Sequence, residues 1–360
     1  MSDTETPKAT LRPRLAPRVA KEPEKVGSYF TNVKKKDIQF IHSGCTLLDC
    51  VLGGGWPLGR ISNIVGDKSS GKTLMAIESC VNFNLQFPNG QIYYLETESA
   101  FDKSYAQALG MPVEAIEFVE LETNTVEDFF DSLDDLIAEH RKSKEPGLYI
   151  VDSLDAMSDK AELERDIDQG SYAMGKQKKM SETFRRLTGD LEKTKIHLQI
   201  ISQIRDKIGV TFGATKTRSG GKALDFYASQ VLWLAEIKKH KRTVQGIERI
   251  TGVEVKANCK KNKVGLPFRE CDYPIYFGYG IDDITANLNF LSKTEYWDLI
   301  GELTDSKAKK ADARTVNALV RKIKSSDKQE RKNYRSVIDS AVVQAWQEIE
   351  ERFMPESSKY

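Results

Sequence analysis

The segment GDKSSGKT at residues 66–73 carries the most specific chemistry in the chain. It has the pattern GxxxxGK[ST], with an apolar run before it and a helical pattern after it, which is the context of a phosphate-binding loop. Backbone N–H groups and the helix dipole there favour phosphate, so we expect Lys72 to reach the β- and γ-phosphates and Thr73 to bind Mg²⁺. The predicted nucleotide-binding set is Gly66, Asp67, Lys68, Ser69, Ser70, Gly71, Lys72 and Thr73.

Acidic residues at two further strand ends complete the candidate site. The apolar run 148–151 ends in Asp152, which we predict to be the second magnesium anchor. The run 92–95 ends in Glu96-Thr97-Glu98, and either glutamate could activate water at the γ-phosphate. Carboxyl ends of parallel strands meet at one sheet edge, but the order of residues alone leaves the choice between Glu96 and Glu98 open.

Short apolar runs alternate with helical patterns from residue 40 onward. The runs at 61–65, 92–95, 148–151 and 198–202 predict buried strands, and the intervening patterns at 71–85, 103–109, 126–141 and 175–191 predict helices. This alternation indicates an α/β fold with a mainly parallel central sheet flanked by helices. Later strands at 230–235, 252–257 and 275–277 lack intervening helices, so we expect them to extend the sheet in antiparallel fashion.

Composition limits the class of protein. The chain has 360 residues, of which 39% are hydrophobic and 30% charged, with a net charge of +1. No apolar run approaches the ~20 residues of a membrane span, so we expect no membrane partner. We expect a cytoplasmic location because the five cysteines are best interpreted as reduced, mostly buried thiols. The five cysteines form no CxxC pair, which argues against a zinc ribbon. We predict a flexible N-terminal arm at 1–36, a nucleotide-binding core at 37–284, and a small, charged helical lobe at 285–360.

The motifs together resemble the RecA-type homologous recombinases of bacteria and phages over residues 43–280. The resemblance includes SG at 43–44, LGGG at 52–55, PLGRI at 57–61 and ESAFD at 98–102. It implies a P-loop NTPase core of RecA type that uses ATP and Mg²⁺. It also implies that Glu98 is the general base for hydrolysis. Tyr105 would stack on the adenine ring, and Asp102 would lie near that ring. Ser99 departs from the usual histidine.

The resemblance also assigns a sensor and two DNA loops. SQIR at 202–205 is similar to the family's NQIR element, so Gln203 would sense the γ-phosphate and signal to the loop at 204–221. A shorter loop at 164–175 corresponds to the first DNA loop. By composition alone the second loop could equally be an unliganded surface loop. The implied DNA-binding residues are Met174, Gly175, Arg205, Lys207, Ile208, Phe212, Lys216, Arg218, Gly220 and Gly221.

A basic element at 260–263 resembles the family's Lys-Asn-Lys segment. Lys261 and Lys263 would therefore reach the γ-phosphate of a neighbouring protomer and act as trans cations, as arginine fingers do. As bare sequence the element is only a basic turn, and most basic turns are solvated. Cross-boundary lysines would make ATP a link between protomers of a helical filament.

Both ends of the chain depart from the family pattern, which favours a phage origin without deciding between phage and host. If a phage encodes the chain, we expect it to act in the host cytoplasm. The arm carries four prolines that oppose a long helix, and we hypothesise that Tyr29-Phe30 inserts into a neighbouring core. The C-terminal lobe is crowded with lysine and arginine between 307 and 335, which indicates either capture of double-stranded DNA or a solvated helical face.

The resulting hypothesis is an ATP-dependent recombinase that forms a filament on single-stranded DNA and catalyses homologous pairing and strand exchange in recombination and repair. Two alternatives remain open from the sequence. One is a motor with the same core, either a ring helicase or a branch-migration ATPase. The other is a nucleotide-binding recombination accessory, which would be expected to lack the base or the trans lysines.

Overall fold

A computed structural model describes residues 38–160, 173–206, 216–218, 221–304 and 307–357. The strands are β1 Phe40–Ile41, β2 Trp56–Pro57, β3 Ile61–Gly66, β4 Gln91–Glu96, β5 Ile116–Phe118, β6 Gly147–Asp152, β7 Ile196–Asp206, β8 Lys216–Arg218, β9 Gln230–Val244, β10 Ile247–Asn262, β11 Arg269–Tyr276 and β12 Gly280–Ile281. The helices are α1 Thr46–Leu52, α2 Lys72–Gln86, α3 Lys103–Ala108, α4 Val126–Ser143, α5 Ala173–Thr194, α6 Gly221–Tyr227, α7 Asp283–Lys293, α8 Gly301–Thr304, α9 Ala313–Ser325 and α10 Lys328–Arg352.

The described strands other than β1 and β2 form one sheet with the order β12-β11-β10-β9-β3-β7-β6-β4-β5, and β8 pairs with β7. All strands from β9 to β5 in this order run parallel. The interior strands β3 and β6 are buried along their whole length, as expected for a sheet covered on both faces. The predicted α/β class with a mainly parallel sheet is confirmed.

The expectation for the three later strands is right for the second and third and wrong for the first. Strands β10, β11 and β12 do extend the sheet in antiparallel fashion, but β9 runs parallel to β3. The reason is α6, a seven-residue helix between β8 and β9. It supplies the crossover that a parallel connection requires.

Two apolar layers cover the two faces of the sheet. On one face α4 packs with α5 over β6 and β7, and its buried residues recur at helical spacing from Val126 to Ile137. Thr125 caps α4 by accepting the backbone N–H of Asp128. On the other face α1, α2 and the C-terminal helices share a single buried cluster. The functional edge is therefore held between two packed layers.

The C-terminal helices are joined to the core by partly buried polar contacts. Asp339 of α10 accepts hydrogen bonds from Thr46 of α1 at 2.6 Å and from Asn287 of α7 at 3.1 Å. Arg335 forms an ion pair with the buried Asp283. The boundary of the C-terminal lobe at 285 stays a prediction. Among the described helices, none combines the length and the apolar character needed to cross a bilayer.

Candidate nucleotide site

The loop at 66–71 connects the end of β3 to the start of α2. Gly71 has φ +88°, and a Cβ atom there would lie 2.6 Å from Ile275 Cδ1, so the position requires glycine. The Lys72 ammonium donates to the Asp67 carbonyl at 2.7 Å, and the Ser70 hydroxyl donates to the same oxygen at 2.8 Å. These contacts close the loop around the place where the sequence predicts phosphate.

Two oxygen atoms that could be ligands of a hard cation lie together beside this loop. The Thr73 hydroxyl donates to Asp152 Oδ2 at 2.8 Å, and the Tyr94 hydroxyl donates to the same oxygen at 3.0 Å. Burial raises the pKa of Asp152, although both hydrogen bonds oppose that shift. Burial lowers the pKa of Lys72, and the nearby Asp152 and Glu98 carboxylates oppose it. A hydroxyl and a carboxylate with a lysine beside them fit Mg²⁺ bound together with phosphate.

The structure separates the two candidate glutamates by their partners. The Glu96 carboxylate accepts the backbone N–H groups of Glu98 and Ser99 at 2.9 Å each and of Ala100 at 3.2 Å. Its oxygens therefore hold the turn that follows β4. Glu98 Oε1 accepts the Ser153 hydroxyl at 2.5 Å and the Gln203 amide at 2.9 Å. Glu98 thus contacts the ends of β6 and β7, whereas Glu96 contacts its own turn.

Gln203 lies beside the phosphate loop in the sheet. Its register partner on β3 is Gly66, the first residue of the loop. Its backbone N–H donates to Asp155 Oδ2 at 2.6 Å. Ser202, which stands where the family has asparagine, points away into a buried contact in which its hydroxyl accepts from Asn63 Nδ2 at 2.9 Å.

The candidate adenine residues lie at the start of α3. The Asp102 carboxylate caps α3 by accepting the backbone N–H of Tyr105 at 3.0 Å. The Tyr105 ring is 47% exposed, and its hydroxyl accepts the Gly278 N–H at 3.5 Å. The turn between β11 and β12 therefore lies against Tyr105 and presents the exposed rings of Phe277 and Tyr279. Sequence reasoning missed this turn, for which aromatic residues around glycine at a strand end are the only signal.

The two lysines proposed to act in trans contact the end of α6 within their own chain. The Lys261 ammonium donates to the carbonyls of Asp225 and Phe226, the latter at 2.9 Å. The Lys263 ammonium donates to the Phe226 carbonyl at 3.0 Å. Cations at the carbonyl end of a helix are favourable for the helix dipole. The Phe226 side chain next to them is 69% exposed.

The predicted DNA-binding residues fall on several elements. Backbone pairing of Ile204 with Arg218 and of Asp206 with Lys216 brings the two ends of the second loop together, so 204–206 and 216–218 are strand rather than loop. Gly221 begins α6, Arg205 lies in β7, and Met174 and Gly175 lie in the first turn of α5 rather than in a loop. The remaining residues lie outside the described part of the chain: Lys207, Ile208, Phe212 and Gly220.

Comparison with known proteins gives the class to which this fold and site belong. The family model of the RecA N-terminal domain matches residues 25–282. Two relatives named Protein RecA, from Francisella tularensis subsp. novicida (strain U112) and Francisella tularensis subsp. tularensis (strain SCHU S4 / Schu 4), are each 37% identical over 272 residues. The aligned region covers 72% of this chain and 71% of each relative. The chain belongs to the RecA family. That membership supports a general role in DNA recombination and repair, with the use of ATP and Mg²⁺.

Proposed function

We propose that the chain is a DNA-dependent ATPase that forms a filament on single-stranded DNA and catalyses homologous pairing and strand exchange. One observation carries this proposal. Glu98 and Gln203 are bonded to each other at 2.9 Å, and Gln203 directly precedes the paired strands at the root of the second loop. A group able to contact phosphate is therefore continuous with a segment suited to contact DNA.

Within this proposal the phosphates of ATP lie on the backbone of residues 66–71, with Lys72 beside them. Thr73 and Asp152 would hold Mg²⁺, which when bound neutralises charge on the phosphate oxygens. The adenine would stack on Tyr105, with the turn containing Phe277 and Tyr279 at its edge. The hydrogen bond from Gly278 to the Tyr105 hydroxyl supports this placement.

Hydrolysis requires Glu98 to accept a proton from water. In the free protein Ser153 and Gln203 both donate to its Oε1 atom. A γ-phosphate offers the Gln203 amide a second acceptor, and its departure would leave Glu98 available to water. The amide can bond to γ-phosphate only while that group is present, which gives β7 and the loop beyond it two states.

Assembly would place Lys261 and Lys263 of one protomer at the γ-phosphate of the next. To do so their ammonium groups must leave the carbonyls at the end of α6. ATP would then stabilise the stretched filament, and hydrolysis would release DNA. We place this activity in the cytoplasm, that of the host if a phage encodes the chain.

Contacts with DNA would come from both loops. Arg205, Lys207, Lys216 and Arg218 suit the phosphate backbone of a single strand, and Ile208 and Phe212 suit insertion between bases. Gly175, Gly220 and Gly221 would allow close approach of DNA to the backbone at the loop ends, and Met174 would add an apolar contact beside Gly175. In the C-terminal lobe Lys310, Lys324 and Arg335 are engaged in ion pairs with acidic residues. Double-stranded DNA would therefore contact the exposed basic side chains of this lobe: Lys307, Lys309, Arg314, Arg321, Lys328 and Lys332.

A strand-exchange assay tests this function. The full chain, ATP and Mg²⁺ are incubated with circular single-stranded DNA and a homologous linear duplex. We expect joint molecules and exchanged duplex, both dependent on homology, with filaments visible in electron micrographs. Closed rings and unwinding without a homologous strand would contradict the proposal and favour a motor.

A further inference from the structure

The carboxylate of Asp155 connects two segments that leave the nucleotide edge. Asp155 lies in a 3-10 turn, Leu154–Ala156, three residues after Asp152. Its Oδ2 atom accepts the backbone N–H of Gln203 at 2.6 Å. It is also close enough to Lys72 to oppose the effect of burial on the pKa of that lysine. One acidic side chain outside the predicted site therefore touches the main chain of the sensor residue.

The position of this contact follows from the unequal lengths of two strands. Strands β6 and β7 pair through Val151 and Ile200, and β6 then ends at Asp152, whereas β7 continues to Asp206. Beyond that point the backbone of β7 has no β6 strand to pair with. The Asp155 carboxylate substitutes for the missing acceptor by accepting the Gln203 N–H.

Gln203 is consequently held from two directions by acids on different strand ends. Its side-chain amide donates to Glu98, which follows β4, and its backbone N–H donates to Asp155, which follows β6. A change of partner by the amide would shift the end of β7. Because Asp155 holds that same residue by its main chain, the shift would pass to the segment after β6.

The segment 156–160 is attached to α4 on its other side. Ser158 forms a bridge with Thr125, and the Lys160 N–H donates to Glu127 at 3.2 Å. The Lys160 ammonium pairs with Asp128 at 2.8 Å. Asp155 thus connects this segment to Gln203 of β7, whereas Ser158 and Lys160 connect it to the start of α4.

We propose that Asp155 is a positioning residue that couples Gln203 to the segment leading into residues 161–172. The nucleotide state would reach this segment through the Asp155 hydrogen bond while it reaches the second loop through β7 itself. Both sides of the DNA-binding region would then respond to one amide. The inference rests on the proposed function, because it requires Gln203 to respond to the γ-phosphate.

The test measures coupling by binding, since coupling free energies are reciprocal for binding and not for turnover. The dissociation constant of a labelled single-stranded oligonucleotide is measured by anisotropy at fixed salt, without nucleotide and with a non-hydrolysable ATP analogue. The coupling is the dissociation constant without nucleotide divided by the dissociation constant with the ATP analogue. It is compared among wild type, Asp155→Ala, Asp155→Asn and Glu127→Ala. The last is a matched control because it removes a carboxylate that accepts a backbone N–H of the same segment without touching Gln203.

We expect Asp155→Ala to lower the ratio at least about fivefold, the lower end of typical coupling. Asp155→Asn should keep most of it, because the amide oxygen still accepts the N–H, and Glu127→Ala should match wild type. The inference would be overturned if Asp155→Ala kept the wild-type ratio. It would also be overturned if Asp155→Asn or Glu127→Ala lost as much coupling as Asp155→Ala. A wild-type ratio near one would instead contradict the proposed function itself.

Hydrogen exchange on the wild type provides a measurement that needs no substitution. Amides in 153–160 and in 200–206 are followed with and without the ATP analogue. Coupling through Asp155 predicts that both stretches change protection together. A change in 200–206 alone, with 153–160 unaffected, would overturn the inference.

Discussion

Glu96 and Glu98 lie two residues apart, and their different partners predict different phenotypes. Glu98→Ala should lower DNA-stimulated ATP turnover by roughly 10²- to 10⁴-fold, the range of general-base effects, with little change in thermal stability. Glu96→Ala should lower the thermal unfolding midpoint, because three backbone N–H groups lose their acceptor. Turnover assays and thermal melts of both variants check this. Loss of turnover in Glu96→Ala at unchanged stability would identify Glu96 as the base.

The buried Asp152 predicts a conflict between stability and activity. Burial raises its pKa, so the folded chain binds this proton more tightly than the unfolded chain. The associated stability is present below the unfolded pKa of ~3.9 and is lost as pH rises through the folded pKa. At neutral pH Asp152→Asn should therefore raise the unfolding midpoint of the nucleotide-free protein. The same variant should lose Mg²⁺-dependent turnover, and a lowered midpoint would contradict the account.

Strand β7 contains another buried titratable group, His197. His197 Nδ1 contacts the Pro57 carbonyl at 2.8 Å, and burial lowers the pKa of this histidine to about 4. The folded state requires the neutral His197 ring. The contribution of this ring to the free energy of unfolding is therefore complete above the unfolded pKa of ~6.5 and declines as pH falls towards 4. The free energy of unfolding should fall by a few kcal/mol at most across this window, about 1.4 kcal/mol for each tenfold change in proton affinity.

Chemical denaturation between pH 7 and pH 4 checks the prediction for β7. His197→Asn keeps a polar group near Pro57 but does not titrate, so its stability should depend less steeply on pH. Equal pH dependence in the two proteins would show that His197 does not control acid stability.

The elements show which parts of the fold and site follow from sequence. The phosphate loop, Asp152 and the central strands could be predicted because each is encoded in a local apolar run or a contiguous motif. The parallel direction of β9 was missed because α6 has only seven residues and follows a glycine-rich stretch. The turn at Gly278 was missed because its contact with Tyr105 joins distant parts of the chain. The choice of Glu98 needed the resemblance, since spacing does not determine which carboxylate bonds to its own turn.

At the scale of the whole molecule, the central feature is a site that two protomers would complete. Lys72→Ala disables a phosphate loop, and Lys261→Ala/Lys263→Ala disables the cations offered to a neighbour. Each variant alone should lack DNA-stimulated turnover. A random equal mixture should recover up to about one quarter of wild-type turnover, because that share of interfaces pairs an intact loop with intact lysines. If the lysines serve the phosphate loop of their own chain, the mixture should remain inactive.

The most direct test of the account is ATP hydrolysis by the full chain at fixed salt, with and without single-stranded DNA. The continuity from the phosphate loop through Gln203 to the second loop predicts strong stimulation by single strands. Lys72→Ala should abolish that stimulation. Turnover that is equal with and without DNA, or absent while nucleotide still binds, would contradict the account.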